Sequence, residues 1–283
     1  MLKTGWLKYL WDRRKGRILH QFMHMARLHK TPFRVLLRNI FEVTDEYQAG
    51  FTFPIVASVA LKNPELTRMI SESHHEIASH GFKHVNYKYI SVREQEIDIA
   101  RSIKAFKSMK ISVYGFRAPY NAYTDCTPKL LEKHDFLWDI GIGYAPKYRE
   151  TGRFFRVKID DRESRFVCIP LSQWSDDAMI DIYGMKNSQM IRIFRRAIKR
   201  TAEKHGVIMF DLHPIRIGQP KYIDVLREIL DYGEELDGWF PTVTEAVNHW
   251  LKHEEWKDDA SFCCLLTGDI DNFTFTDYLS RLL

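Results

Sequence analysis

Cysteine is scarce in this sequence, and its placement excludes the simplest sulfur chemistries. The four cysteines, Cys126, Cys168, Cys263 and Cys264, show no CxxC or other metal-ligand spacing, and two are neighbours in an apolar stretch. They read as buried free thiols, not as a disulfide framework or a thiolate cage. Long apolar runs are also missing, since no stretch approaches the roughly eighteen residues a membrane-spanning helix needs. The opening, MLKTGWLKYLWDRRKG, has no hydrophobic signal core before its charges, so an intracellular, cytoplasmic protein is expected. Acids are nearly absent from residues 1–40, where ten Lys or Arg face a single acid, Asp12. The whole chain carries a net charge of only +5, so the basic character is local and the remainder is net acidic. Apolar residues at 7, 10, 11, 18, 22 and 25 recur at roughly helical spacing there. Two readings fit residues 1–32: an amphipathic helix packed on the body, or a surface for an anionic membrane or a phosphate-bearing substrate.

What is present suits one globular α/β domain. The 45% hydrophobic content supports a substantial core, and no Ser/Gly/Pro linker, low-complexity tract or repeat divides the chain. Helical patterns alternate with short β-rich runs. PFRVLLRNIFEVTDEY, NPELTRMISES, SVREQEIDIARSIKAFKSM, TPKLLEKH, NSQMIRIFRRAIKRTAEKH, YIDVLREILDYGEEL and TEAVNHWLKHEEW predict helices. Ser91 and Glu94 open the third of these with a capping box. FTFPIVAS, HEIAS, ISVYGFR, FLWDIGI, GVIMFDL, GWFPTV and SFCCLLTGDID predict strands, and residues 150–185 read as β-rich and irregular. Many βα repeats suggest a barrel, whose chemistry gathers where strands end at their C-termini. HGFKH, RAPY, LHP and GDID all follow strands, which puts them at one mouth.

Asp269 and Asp271 close the last apolar run. Strand positions two apart point the same way, so both carboxylates face one side. A strand running into an Asx-type turn explains the pair without chemistry, and only partners elsewhere change that reading. His80 and His84 have the i,i+4 separation that brings two imidazoles together over one helical turn. Two imidazoles and one carboxylate with an open position form a hydrolytic metal site, and Asp271 is available as the carboxylate.

HHEIASHGFKHVNY, with the preceding TFPIVASVALKNPELTRMI, resembles the NodB-homology polysaccharide deacetylase family, carbohydrate esterase family four. GFRAPY resembles that family's RxPY motif, MFDLHP its late leucine–histidine motif, and IPLSQWSDD its intervening aspartate motif, with Ala178 where a tryptophan often stands. The likeness runs from about residue 33 to 250 in family order. The family normally opens with a strand ending in TFDD or a DxD variant. Nothing before FTFPIV offers one, whereas TGDID is similar to it at the other end of the chain. The resemblance therefore implies a single distorted (β/α)7-type barrel over 33–283, circularly permuted, with 261–271 as the first strand. A strand swapped into a neighbouring subunit, giving a homo-oligomer with sites completed in trans, is the rival arrangement.

The same resemblance implies a divalent ion on Asp271, His80 and His84, Zn2+ by default, with Co2+, Ni2+ or Fe2+ as alternatives. Asp269 is then the base, Arg117 its partner, and the backbone N–H of Tyr120 an oxyanion donor. His213 would protonate the departing amine, supported by Asp176 or, less favoured, Asp177. Leu212 matches a residue lining the acetyl pocket, and core packing explains it equally well. Tyr120, Tyr123 and Trp174 are placed to stack on a sugar. The implied activity removes an N-acyl group, foremost acetyl, from an amino sugar. With no export signal, the expected substrate is a nucleotide- or lipid-linked intermediate of surface-polysaccharide assembly. The alternatives are a formamide or cyclic-amide hydrolase and a non-catalytic sugar-binding or assembly protein. Nucleic-acid binding would account for the basic segment but for none of the histidines, and none is expected. His74, His205, His249 and His253 are expected to be structural.

Overall fold

Phe33, Leu36, Leu37, Ile40 and Val43 recur at helical spacing, and this stripe is buried along helix α1 (Phe33–Glu46). The computed structural model describes residues 22–24, 31–144, 152–253 and 255–282. The basic segment expected over 1–32 therefore lies outside the described residues, apart from the helical turn at 22–24 and residues 31–32. The apolar run FTFPI forms β1 (Phe51–Ile55), buried at every position as a strand covered on both faces must be. The predicted strand continues to Ser58, but Ala57–Lys62 is helix α2. Its first N–H groups, of Ala57 and Ser58, donate to the Gly81 and Phe82 carbonyls at 2.9 and 3.1 Å, which turns the chain away from the sheet.

Helix α3 (Pro64–Ser71) and strand β2 (Glu76–Ser79) follow. Helix α4 (Val92–Ser108) starts at the predicted capping box, with Ser91 N–H donating to the Glu94 carboxylate and Glu94 N–H to the Ser91 hydroxyl. Then come β3 (Gly115–Phe116), α5 (Thr127–Lys133) and β4 (Trp138–Asp139), both strands shorter than predicted. The irregular stretch holds a hairpin of β5 (Lys158–Ile159) and β6 (Arg162–Glu163), then β7 (Val167–Cys168) and a π-type turn over Ala178–Ile182. Helix α6 (Asn187–Ala202), β8 (Val207–Asp211), α7 (Pro214–Ile217) and α8 (Ile223–Glu234) come next. Strand β9 (Gly238–Trp239), α9 (Val243–His253), β10 (Phe262–Thr267) and α10 (Phe275–Leu282) complete the order.

The main sheet is wholly parallel, in the order β7, β4, β3, β2, β1, β10, β8, with β9 pairing the start of β10. The last strand in sequence thus occupies an interior place, between β1 and β8. Beyond β7, Ser172 N–H reaches the Met209 carbonyl at 3.0 Å and Ser175 bridges Asp211. This irregular segment joins the two sheet edges and gives a single-domain, distorted (β/α)7-type barrel. Alternate residues divide the core. Ala78, Trp138, Val207, Met209, Cys263 and Leu265 pack inward with Val243, Ala246 and Val247 of α9, whereas Phe51, Phe53, Ile55, Phe210, Cys264 and Leu266 pack with the surrounding helices. All four cysteines are free thiols; Cys168, Cys263 and Cys264 are buried as expected, and Cys126 is half-buried. No helix among the described residues is long and apolar enough to cross a membrane.

Candidate active site

The two-residue strand period assigns the polar side chains. Ala78 faces inward on β2, so His80 does; Val207 and Met209 on β8 carry Asp211 and His213; Cys263 and Leu265 on β10 carry Asp269 and Asp271. Strand-like pairing persists past β10, because Ile270 N–H donates to the Pro54 carbonyl at 2.8 Å and Val56 N–H to the Ile270 carbonyl at 3.2 Å. Ile270 is buried on the helix side, leaving the two flanking carboxylates on the mouth side. Only glycine fits at 268, where a Cβ would lie 2.0 Å from the Leu212 carbonyl oxygen.

His80, His84 and Asp271 converge as expected, with ligand atoms within 4.8 Å of one another. Asp271 Oδ1 lies 3.1 Å from His84 Nε2 and 3.5 Å from His80 Nε2. The two histidines do not share a helical turn, however. They lie on a loop after β2 that reverses at Gly81, whose φ of +75° favours glycine. Asp98 of α4 holds this loop by accepting the Phe82 and Lys83 N–H groups, each at 2.9 Å, and the Tyr87 hydroxyl at 3.0 Å.

The donor set fits a divalent ion. His80 Nδ1 must donate to the Arg117 carbonyl 2.8 Å away, so the lone pair falls on Nε2, a buried atom without a hydrogen-bond partner. Burial disfavours charge on His80, but Asp269 and Asp271 outweigh it and raise its pKa, so the pocket calls for positive charge.

Asp269 is paired with Arg117, Oδ1 to Nη1 at 3.0 Å. Burial raises the Asp269 pKa against the pull of that guanidinium. Arg117 is itself buried and forks onto a second carboxylate, Asp211, through Nη1 and Nη2 at 2.9 and 2.8 Å, while Nε donates to Asn121 at 3.1 Å. Asp211 is the functional-site residue sequence reasoning missed. Its signal was available, since the strand period of GVIMFDL puts it on the same side as His213. Burial works against its charge, but Arg117 and His213 hold its pKa down at about 2.

His213 Nδ1 meets Asp176 Oδ1 at 2.7 Å and lies 3.9 Å from Asp211 Oδ1. Burial alone would lower its pKa; Asp211 and Asp176 together raise it to about 10. Asp177 instead accepts the Ala178 N–H at 2.7 Å and the Ser175 hydroxyl, so it starts the π-type turn and Asp176 is the partner of His213. Tyr120 adopts a left-handed φ of 61° and sets its exposed ring 4.4 Å from that of His84, centroid to centroid. Leu212 points away from the mouth and is fully buried in the helix-facing core, so of its two readings the packing one describes it. Trp174 is half-buried against the same core, edge-on to Tyr183, and Tyr123 packs with the cluster around Phe116. His74, expected to stand alone, lies with Asp45 and His75 in a second group of ligand-type atoms.

Fold and mouth together define a class, the distorted (β/α)7-type barrels with a cluster of histidines and carboxylates at the C-terminal ends of the strands. Residues 31–137 match the family model for polysaccharide deacetylase. The peptidoglycan deacetylase of Helicobacter pylori is 27% identical over 92 residues, and that match spans 31% of this chain and 31% of the relative's length. Among solved structures, one assigned to the polysaccharide deacetylases of Mycobacterium smegmatis aligns at a TM-score of 0.69 and 21% identity, covering 88% of this chain and 86% of that one. The PuuE allantoinase aligns at 0.67 and 17%, covering 78% and 74%. At these identities the structural likeness carries the fold.

Proposed function

We propose that this protein is a metal-dependent hydrolase that removes the N-acetyl group of an amino sugar. The observation that carries the reading is the meeting, at one mouth, of the His80, His84 and Asp271 donors with a carboxylate–guanidinium pair and a carboxylate–imidazole pair. A divalent ion held by those three residues, Zn2+ foremost, supplies Lewis acidity toward the amide carbonyl. Asp269 takes the proton of the attacking water, and Arg117, anchored on Asp211, keeps that carboxylate aimed. His213, held as imidazolium by Asp211 and Asp176, gives its proton to the amine as the C–N bond breaks. Tyr120 offers a ring face and its backbone N–H at the rim, and Trp174 a second aromatic surface.

In this reading β10 is the family's first strand relocated by circular permutation, and its pairing with β1 and β8 of the same chain supports a site completed in cis. The local excess of Lys and Arg over residues 1–40 supports a phosphate-bearing sugar as substrate, handled in the cytoplasm or at the inner face of the membrane. The test is metal content against turnover on N-acetylated amino-sugar oligomers. Asp271→Asn and His84→Ala should lose bound metal, whereas Asp269→Asn should keep metal and lose turnover. Equal metal in all three variants rejects these roles.

A further inference from the structure

At the N-terminal end of β2, the end opposite His80, stands a second cluster: Asp45 at the close of α1, and His74 with His75 just before the strand. Their ligand-type atoms lie within 4.8 Å of one another. Hydrogen bonding fixes one donor nitrogen on each ring. His74 Nε2 is 3.1 Å from the Ala49 carbonyl, which can only accept, so Nε2 carries a hydrogen and the Nδ1 of the neutral ring carries a lone pair. That Nδ1 faces Asp45 Oδ1 at 3.5 Å, a pairing that a shared cation or a proton on Nδ1 would satisfy. His75 Nε2 is 3.4 Å from Thr44 Oγ1, whose single hydrogen goes to the Ile40 carbonyl at 2.9 Å, so the imidazole donates here too. The lone pair of His75 therefore falls on Nδ1, and Nδ1 is buried without a hydrogen-bond partner in a side chain that is 7% exposed. Each ring thus donates one nitrogen to the protein and leaves the other as a ligand. This is the outer-shell pattern of metal-binding histidines, and His80 shows it at the mouth.

We propose that Asp45, His74 and His75 form a second divalent-metal site, separate from the barrel mouth. Two imidazole nitrogens and one carboxylate oxygen suit a borderline ion such as Zn2+ or Co2+, with solvent completing the shell. His74 and Asp45 are 47% and 60% exposed, which leaves them rotamer room to close on an ion and makes the site exchangeable. Its effect is architectural: it clips the end of α1 to the start of β2, and an ion that binds the folded chain alone raises stability by mass action.

The inference stands whatever the mouth binds, and the test keeps the two apart. In the double variant His80→Ala/His84→Ala, purified and dialysed against Zn2+, one ion per chain should remain by elemental analysis, and Zn2+ should raise the melting temperature. Adding Asp45→Asn and His74→Ala should abolish both effects; the substituted side chains are exposed, so circular dichroism should stay native. Substituted with Co2+, the double variant should give a d–d spectrum that the quadruple variant lacks. A double variant that folds but holds no ion, or whose ion survives Asp45→Asn/His74→Ala, overturns the proposal and leaves an imidazolium bridging Ala49 and Asp45. Conversely, a wild-type chain whose single ion depends on Asp45 and His74, and not on His84, sinks the reading of the mouth alone.

Discussion

Replacing Asp211 by Asn removes one negative charge from between the two halves of the mouth while keeping side-chain shape. Asp211 lies 3.9 Å from His213 Nδ1, and at an effective dielectric constant near 20 two charges so placed interact by about 4 kcal/mol. At about 1.4 kcal/mol per pKa unit this caps the effect at roughly three units. The His213 side chain is 16% exposed, so solvent trims it, and a fall of about one to two units from a pKa near 10 is expected. His213 acts in its protonated form, so activity disappears as pH rises through its pKa, and the alkaline limb of kcat/KM should move down by that amount. Asp211 also raises the pKa of Asp269. The base acts ionised, so activity appears as pH rises through its pKa, and the acidic limb should move down as well. The whole bell shifts toward acid, and metal content stays unchanged. The assay is amine release from N-acetylated amino-sugar oligomers across pH, with an imidazole-nitrogen NMR titration of His213 as a readout independent of turnover. An alkaline limb and His213 titration that stay in place, or move upward, refute the reasoning.

Two further outcomes follow from β10. Mixing His80→Ala chains with Asp271→Ala chains should recover no activity, because β10 pairs with β1 of its own chain; recovered turnover would instead show strand exchange between subunits. Gly268→Ala should destabilise by about 1–3 kcal/mol, the usual cost of forcing an extra carbon into packed structure. A denaturant midpoint equal to wild type contradicts the 2.0 Å approach to the Leu212 carbonyl.

Legibility in the sequence followed locality. The α4 capping box and the alternation in LLTGDID are set by neighbours two or three residues away, and both stand as read. The pair His80 and His84 was visible, but its geometry was not, because the four-residue spacing suits a helical turn equally well. The deciding contacts come from Asp98, sixteen residues from Phe82 and fifteen from Lys83. Asp211 escaped notice because its partner Arg117 is 94 residues away and reached across the barrel. Leu212 was left open between pocket lining and core packing, because its place in the motif beside His213 suits either, and strand parity turns it outward among Phe210 and Leu266. Ala57 and Ser58 were read as the end of the strand because they continue the run FTFPIV, and only the Gly81 and Phe82 carbonyls make the chain turn there.

The interior place of β10 also governs how the chain is made. On the ribosome, β1 and β8 emerge long before residues 262–271, and until then each presents an unsatisfied backbone edge where its eventual neighbour belongs. The nascent polypeptide must carry the sticky border of β1 through most of its synthesis and that of β8 through the stretch between Asp211 and Phe262, and barrel closure waits on its late-emerging central stave. Slow elongation or early termination in that window would expose these edges to aggregation and chaperone capture before any catalytic pocket exists.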